Sequence, residues 1–173
     1  MKRLALLLGS AIAAAAFAGP ALAADAAPAV AADSAPFPAK KVDVMVYADT
    51  TTASRGTVKF DKSCWVRNTF PQNSRVVFRM WAVDVAKGTP VTNTDVKYAY
   101  VRIPGQPNLK MSYGKHGGLA DSPYFWTIAW AVPADYPLGT VPFRIVVKTN
   151  ENKFGTFDQA PDPNAQLTIT LKP

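Results

Sequence analysis

From Lys40 onward, apolar and polar positions alternate with a period of two, in short runs broken by turn residues. Val42, Val44 and Val46 alternate with Asp43, Met45 and Tyr47, which predicts a first strand. Thr57 to Phe60 predicts a short second one, and Ser63 to Arg67 a third, or a continuation past Asp61-Lys62. The strongest signal is Ser74 to Val83: Val76, Phe78, Met80 and Ala82 share one face, and Val77, Arg79, Trp81 and Val83 the other. After a turn at Lys87-Gly88-Thr89-Pro90, Asp95 to Ile103 sets Ala99, Val101 and Ile103 against Tyr98, Tyr100 and Arg102. Pro104-Gly105-Gln106-Pro107 turns the chain, and Leu109 to Tyr113 predicts a further short strand. Gly114 to Gly118 reads as a flexible loop. Tyr124 to Val132 is a long aromatic strand closed by Pro133. Past the corner Asp135–Gly139, Val141 to Thr149 points Phe143, Ile145 and Val147 inward, and Leu167, Ile169 and Leu171 mark the last strand. Seven to nine short strands, without an amphipathic helix or an internal repeat, predict an all-β chain. Its expected architecture is one antiparallel two-layer sandwich over residues 40–173.

The pattern ahead of Lys40 differs. Lys2 and Arg3 precede an apolar run from Leu4 to Gly19, and Ala21-Leu22-Ala23 supplies small residues in signal-peptidase spacing. Residues 1–23 therefore read as a signal peptide cut before Ala24, and the mature chain as periplasmic or secreted. The apolar run is short and Ala-rich for a membrane span, so no transmembrane anchor is expected after cleavage. Residues 24–39 alternate Ala and Pro with little to bury, as a flexible linker does.

Composition narrows the partners. The chain carries 19 Lys and Arg against 12 acids, and loss of Lys2 and Arg3 with the leader lowers its formal charge of +7 to about +5. Lys40-Lys41 is the only basic pair of the mature chain, so a nucleic-acid partner is disfavoured and a moderate attraction to acidic proteins or anionic polymers is the better inference. Cys64 is the only cysteine, which excludes an internal disulfide, and it reads as a small buried hydrophobe within a strand. Glu151 is the only glutamate, and that shortage of a strong helix former agrees with the strand pattern.

Two segments, "VVFRMWAVD…GTPVTNTDVKYAYVRIPG" from Val76 and "WAVPADYPLGTVPFRIVVKT" from Trp130, resemble bacterial Ig-like and macroglobulin-type sandwich domains. There an extended strand ends near an Asp, G-x-P-V leads into the next, and a Pro/Gly corner precedes the penultimate strand. The resemblance covers roughly a third of the mature chain and implies a fold, not an activity. Cys64 and Trp81 are similar to the Cys and Trp of an Ig core, but the second Cys is missing.

Catalytic chemistry is sparsely supplied. His116 is the only histidine, so a Cys–His or Ser–His–Asp site would have to use it, and spacing brings no nucleophile to it. Met111 and His116 lack the second His and the Cys of a copper site, and four Cys/His ligands for structural zinc are missing. The Asp residues mostly sit beside turn formers, where they bond local N–H groups. No enzyme activity, metal or cofactor is expected.

Binding is the better expectation. Tyr98, Tyr100 and Arg102 share a strand face that would make an aromatic platform with an anion anchor wherever it meets solvent. Trp126 and Trp130 read as core. Lys110, Tyr113, Lys115 and His116 lie in a Gly-rich stretch whose N–H groups suit anions. The leading expectation is a non-catalytic accessory module docking a protein of the bacterial envelope, such as a redox or transport complex. A soluble binder of carbohydrate or another small ligand through the Tyr/Arg face is the alternative. A small hydrolase or copper handler using His116 ranks last.

Overall fold

The computed structural model describes residues 42–53, 58, 60–61, 64–159 and 166–171. The expected leader and the Ala/Pro-rich segment lie outside these residues. Among the described residues there are twelve strands: β1 (Val44–Thr52), β2 (Thr69–Pro71), β3 (Arg75–Asp84), β4 (Thr89–Pro90), β5 (Val96–Arg102), β6 (Leu109–Lys110), β7 (Ser112–Lys115), β8 (Tyr124–Ala131), β9 (Gly139–Thr140), β10 (Arg144–Thr149), β11 (Phe154–Asp158) and β12 (Thr168–Thr170). The described chain is all-β, with no helix. Its count exceeds the expected seven to nine because five of the strands have only two or three residues.

The period-two pattern of β3 organises the larger sheet, in which β1, β3, β8 and β7 follow one another and β4 adds to β3. Val76, Phe78 and Met80 are fully buried, and antiparallel pairing sets Trp130, Ile128 and Trp126 of β8 opposite them. On the other side, Val44 and Ala48 of β1 join the same inner face. A second sheet has the order β11-β10-β5-β6. Its inner face pairs Val147 with Ala99 and Ile145 with Val101. The two inner faces share one apolar cluster, and the Phe78 and Phe143 rings meet edge-on within it at 4.8 Å. This arrangement is compatible with a two-layer sandwich. The buried indoles are satisfied: Trp126 Nε1 donates to the Val91 carbonyl at 2.9 Å, and Trp130 Nε1 donates to Gln106 Oε1 at 3.4 Å.

Three features tie the layers together. Leu109–Lys110 pairs in the second sheet and Ser112–Lys115 in the first, so the chain changes layer at the buried Met111. Gly155 of β11 lies against β1, where an added Cβ would fall 2.5 Å from the Val44 carbonyl oxygen. Asp84, at the end of β3, accepts N–H bonds from Ala86 and Lys87 and an ion pair from Lys153, which lies between β10 and β11. A small third sheet seats β12 between β2 and β9 and brings Phe70, Leu167 and Ile169 into the core. Here β12 runs parallel to β2, against the all-antiparallel expectation.

Several expectations need correction. Of the expected strand Thr57–Phe60, the described Val58 and Phe60 are in no strand. Ser63–Arg67 supplies only a single bridge, Thr51 to Val66, because Cys64 adopts a φ of 61° and ends the extended run. Cys64 is therefore exposed, not buried. Trp81 is no Ig-type core residue either: it lies on the outer face of β3, between Tyr47 and Phe125. The expected strand Leu109–Tyr113 is split between two sheets, and Gly114 and Lys115, expected in a loop, belong to β7. Strand β11 was not expected, because Gly155 interrupts its apolar alternation.

Candidate functional site

The sequence-predicted site residues divide between the two main sheets, and only those on the second share one outward face. Tyr98, Tyr100 and Arg102 of β5 and Lys110 of β6 stand on the outer face of the second sheet, since the alternate residues Ala99, Val101 and Leu109 turn toward the core. The tyrosine rings stack on each other, 5.1 Å apart and 27° from parallel. Arg102 Nη2 donates to the Tyr100 hydroxyl at 3.0 Å, and its guanidinium lies over that ring. Strand β10 continues the face. Arg144 pairs directly opposite Arg102, and Lys148, opposite Tyr98, places its ammonium 4.8 Å from the Phe154 ring centroid. Arg144 forms an ion pair with Asp158, the only acid in the four strands. Two arginines directly opposite each other repel, so the face concentrates positive charge at some cost to the sheet.

Tyr113, Lys115 and His116 belong to the first sheet. Tyr113 packs its ring against Tyr124 and Trp126, and Lys115 Nζ donates to the Ala120 carbonyl at 2.9 Å. Neither joins the tyrosine face. His116 follows β7, and its backbone N–H bonds the Pro123 carbonyl. This turns the ring onto the outer face of the first sheet, where it stacks on Phe125 at 4.1 Å with 14° between planes. Its Nε2 is 3.4 Å from Thr127 Oγ1. Burial first, and the Arg79 charge second, hold its pKa below 6.5, so the imidazole is neutral at pH 7.

His116 is one wall of a groove that sequence reasoning missed. The cavity holds about 540 Å³ and runs over Val77, Phe125, Thr127 and Ala129, with Thr51, Thr52, Ala53 and Cys64 on one side and His116, Gly117 and Pro123 on the other. Two arginines of β3 enter it. Arg79 is spent on Asp49, directly opposite on β1, through a forked pair with Nε to Oδ1 at 2.7 Å and Nη2 to Oδ2 at 2.6 Å. Those bonds outweigh burial and raise the Arg79 pKa further. Arg75 lies four residues back on the same face. Its Nε is buried without a hydrogen-bond partner, and among the described residues it makes no ion pair.

The groove brings Cys64 and His116 to one cavity, contrary to the expectation from spacing. The chemistry available to them is limited. Asp49 has both oxygens committed to Arg79, and His116 turns Nε2 to a threonine hydroxyl, so among the described residues no carboxylate is bonded to the imidazole as a Ser–His–Asp arrangement requires. Among the described residues no three of His, Cys, Asp and Glu gather as metal ligands. A smaller cavity of about 180 Å³ lies beside Asp84, Asp95 and Glu151, whose carboxylates are already bonded to Lys153, Thr92 and Lys87. Compared with protein-family models, with curated proteins and with solved structures, the chain matches none.

Proposed function

We propose that this chain is an exported, non-catalytic binding module with an Ig-like sandwich fold, and that it docks an acidic protein of the bacterial envelope through the outer face of its second sheet. The observation that carries the reading is the meeting of Tyr98, Tyr100, Arg102 and Lys110 with Arg144 and Lys148 on one surface, whose four strands hold Asp158 as their one acid. Aromatic and arginine side chains supply most of the energy of protein interfaces, and a face with a net positive charge steers an acidic partner toward contact. A sugar platform is less well served. Each tyrosine ring spends one face on the other, so fewer ring faces are left for a pyranose. The leader supports export, and the Ala/Pro-rich segment supports a tether or spacer ahead of the module.

Photo-crosslinking in whole cells tests the proposal. A benzophenone amino acid at position 100 is expected to capture one dominant protein, while the same group at position 47 on the opposite sheet does not. Arg102→Glu with Lys110→Glu is expected to cut that capture about tenfold. Binding of the isolated pair should weaken when salt rises from about 50 to about 500 mM. Equal capture from both positions, or insensitivity to the charge reversal, would refute the docking face.

A further inference from the structure

The groove on the first sheet is independent of that face, and its chemistry is specific enough to name an occupant. Its floor is apolar, with the Val77 and Ala129 side chains and the Phe125 ring. Its volume of about 540 Å³ falls in the range of small-molecule sites, which span about 300–1,000 Å³. The two arginines on its floor strand have different roles. Arg79 is neutralised in place by Asp49 and stiffens the wall. Arg75 is half-buried and makes no ion pair, and its Nε finds no acceptor within the described protein. The Arg75 charge is half withdrawn from water with no counter-ion among the described residues, a cost that an anion at the open end of its guanidinium would relieve. A guanidinium presents its donors in a fork that fits a carboxylate. His116, kept neutral by burial and the Arg79 charge and stacked on Phe125, adds an aromatic wall without adding charge.

We infer that this groove binds a small monocarboxylic acid with an apolar body, its carboxylate held by Arg75 and its hydrocarbon laid over Val77, Ala129 and Phe125. A dianion is less suited, since Arg75 is the one arginine here not already paired. An amine is disfavoured by the unpaired Arg75 guanidinium. The site involves no covalent step.

Cys64 provides the measurement, because it is the only thiol of the chain and borders the cavity. The rate of its alkylation by iodoacetamide is read with octanoate, 1-octanol or octylamine present, each up to roughly 10 mM, a range suited to weak sites. Octanoate is expected to slow alkylation about tenfold at saturation, and octanol and octylamine to need at least about tenfold higher concentration for the same effect. Arg75→Gln should raise the octanoate concentration required about tenfold, and Arg75→Lys, which keeps the charge, by less. Isothermal titration of octanoate into the wild type and both variants gives the same comparison without the thiol. Equal protection by octanoate and octanol would leave an apolar groove without an anion site and overturn the proposal. So would unchanged octanoate binding in a folded Arg75→Gln protein. Protection only by an apolar peptide with a free C-terminus, with octanoate inert, would assign the groove to a protein tail and overturn the small-acid reading.

Discussion

Gly155 shows how one missing side chain lets two layers close. Strand β11 approaches β1 so tightly that a Cβ there would press on the Val44 carbonyl oxygen at 2.5 Å and on the Val44 and Val46 side chains at 2.8 Å. Backbone cannot step aside as a flexible side chain can. Gly155→Ala is therefore expected to cost about 1–3 kcal/mol, read as a lower urea midpoint at unchanged slope. An unchanged midpoint would mean that the strands separate freely. The same residue explains why β11 escaped the sequence reading: the pattern Phe154, Gly155, Thr156, Phe157 has no side chain to offer at the position that packs. Cys64 was misread for a related reason. Its type favours burial, but a left-handed backbone at that point carries it out of the strand run into solvent.

At the scale of elements, the long strands were legible and the short ones were not. Strands β3, β5, β8 and β10 repeat the alternation often enough for it to name their inner faces, and Trp126 and Trp130 are buried as read. Two-residue pairings such as β6 and β9 carry no period, so only tertiary contact defines them. The tyrosine face was legible because it is a single strand plus a neighbour. The groove was not, because its walls come from four separate parts of the chain that only sheet pairing assembles. The pairing of β1 with β3 has its own test. Asp49 and Arg79 sit opposite each other and are largely shielded from water, so Asp49→Ala leaves a guanidinium without its carboxylate. The expected loss is about 1–3 kcal/mol in chemical denaturation. The double variant Asp49→Leu/Arg79→Met should regain most of it, because no lone charge remains. A double variant as unstable as the single one would show that the ion pair does more than neutralise itself.

Across the whole molecule, an ionic junction links the ends of the two main sheets. Lys153 holds both Asp84 and Glu151, and Lys87 shares Glu151. The Lys153 bond first, and the backbone N–H groups of Lys87 and Ala86 with it, hold Asp84 below its ordinary value of 3.8. Bonds from Lys87 and then Lys153 lower Glu151 from 4.5, while the Asp84 bond raises Lys153 from 10.5. The signs set a window. The carboxylates contribute fully above their ordinary values, and that contribution drains away as pH falls through their depressed folded values. The lysine contributes fully below 10.5 and loses its share as pH rises through its elevated folded value. Comparing Lys153→Met with the wild type by thermal unfolding should give the largest gap between about pH 5 and about pH 10, narrowing at both extremes. A gap independent of pH would assign the role of Lys153 to packing alone.

Because each main sheet turns its inner side to the same hydrophobic filling, the cationic tyrosine surface and the arginine-lined groove look in opposite directions, with more than one sheet spacing of about 10 Å between them. Occupants of the two sides cannot collide, so the small acid and the envelope partner proposed above could be held at the same time. Any communication between the two would then have to pass through the close-packed interior, not across the surface.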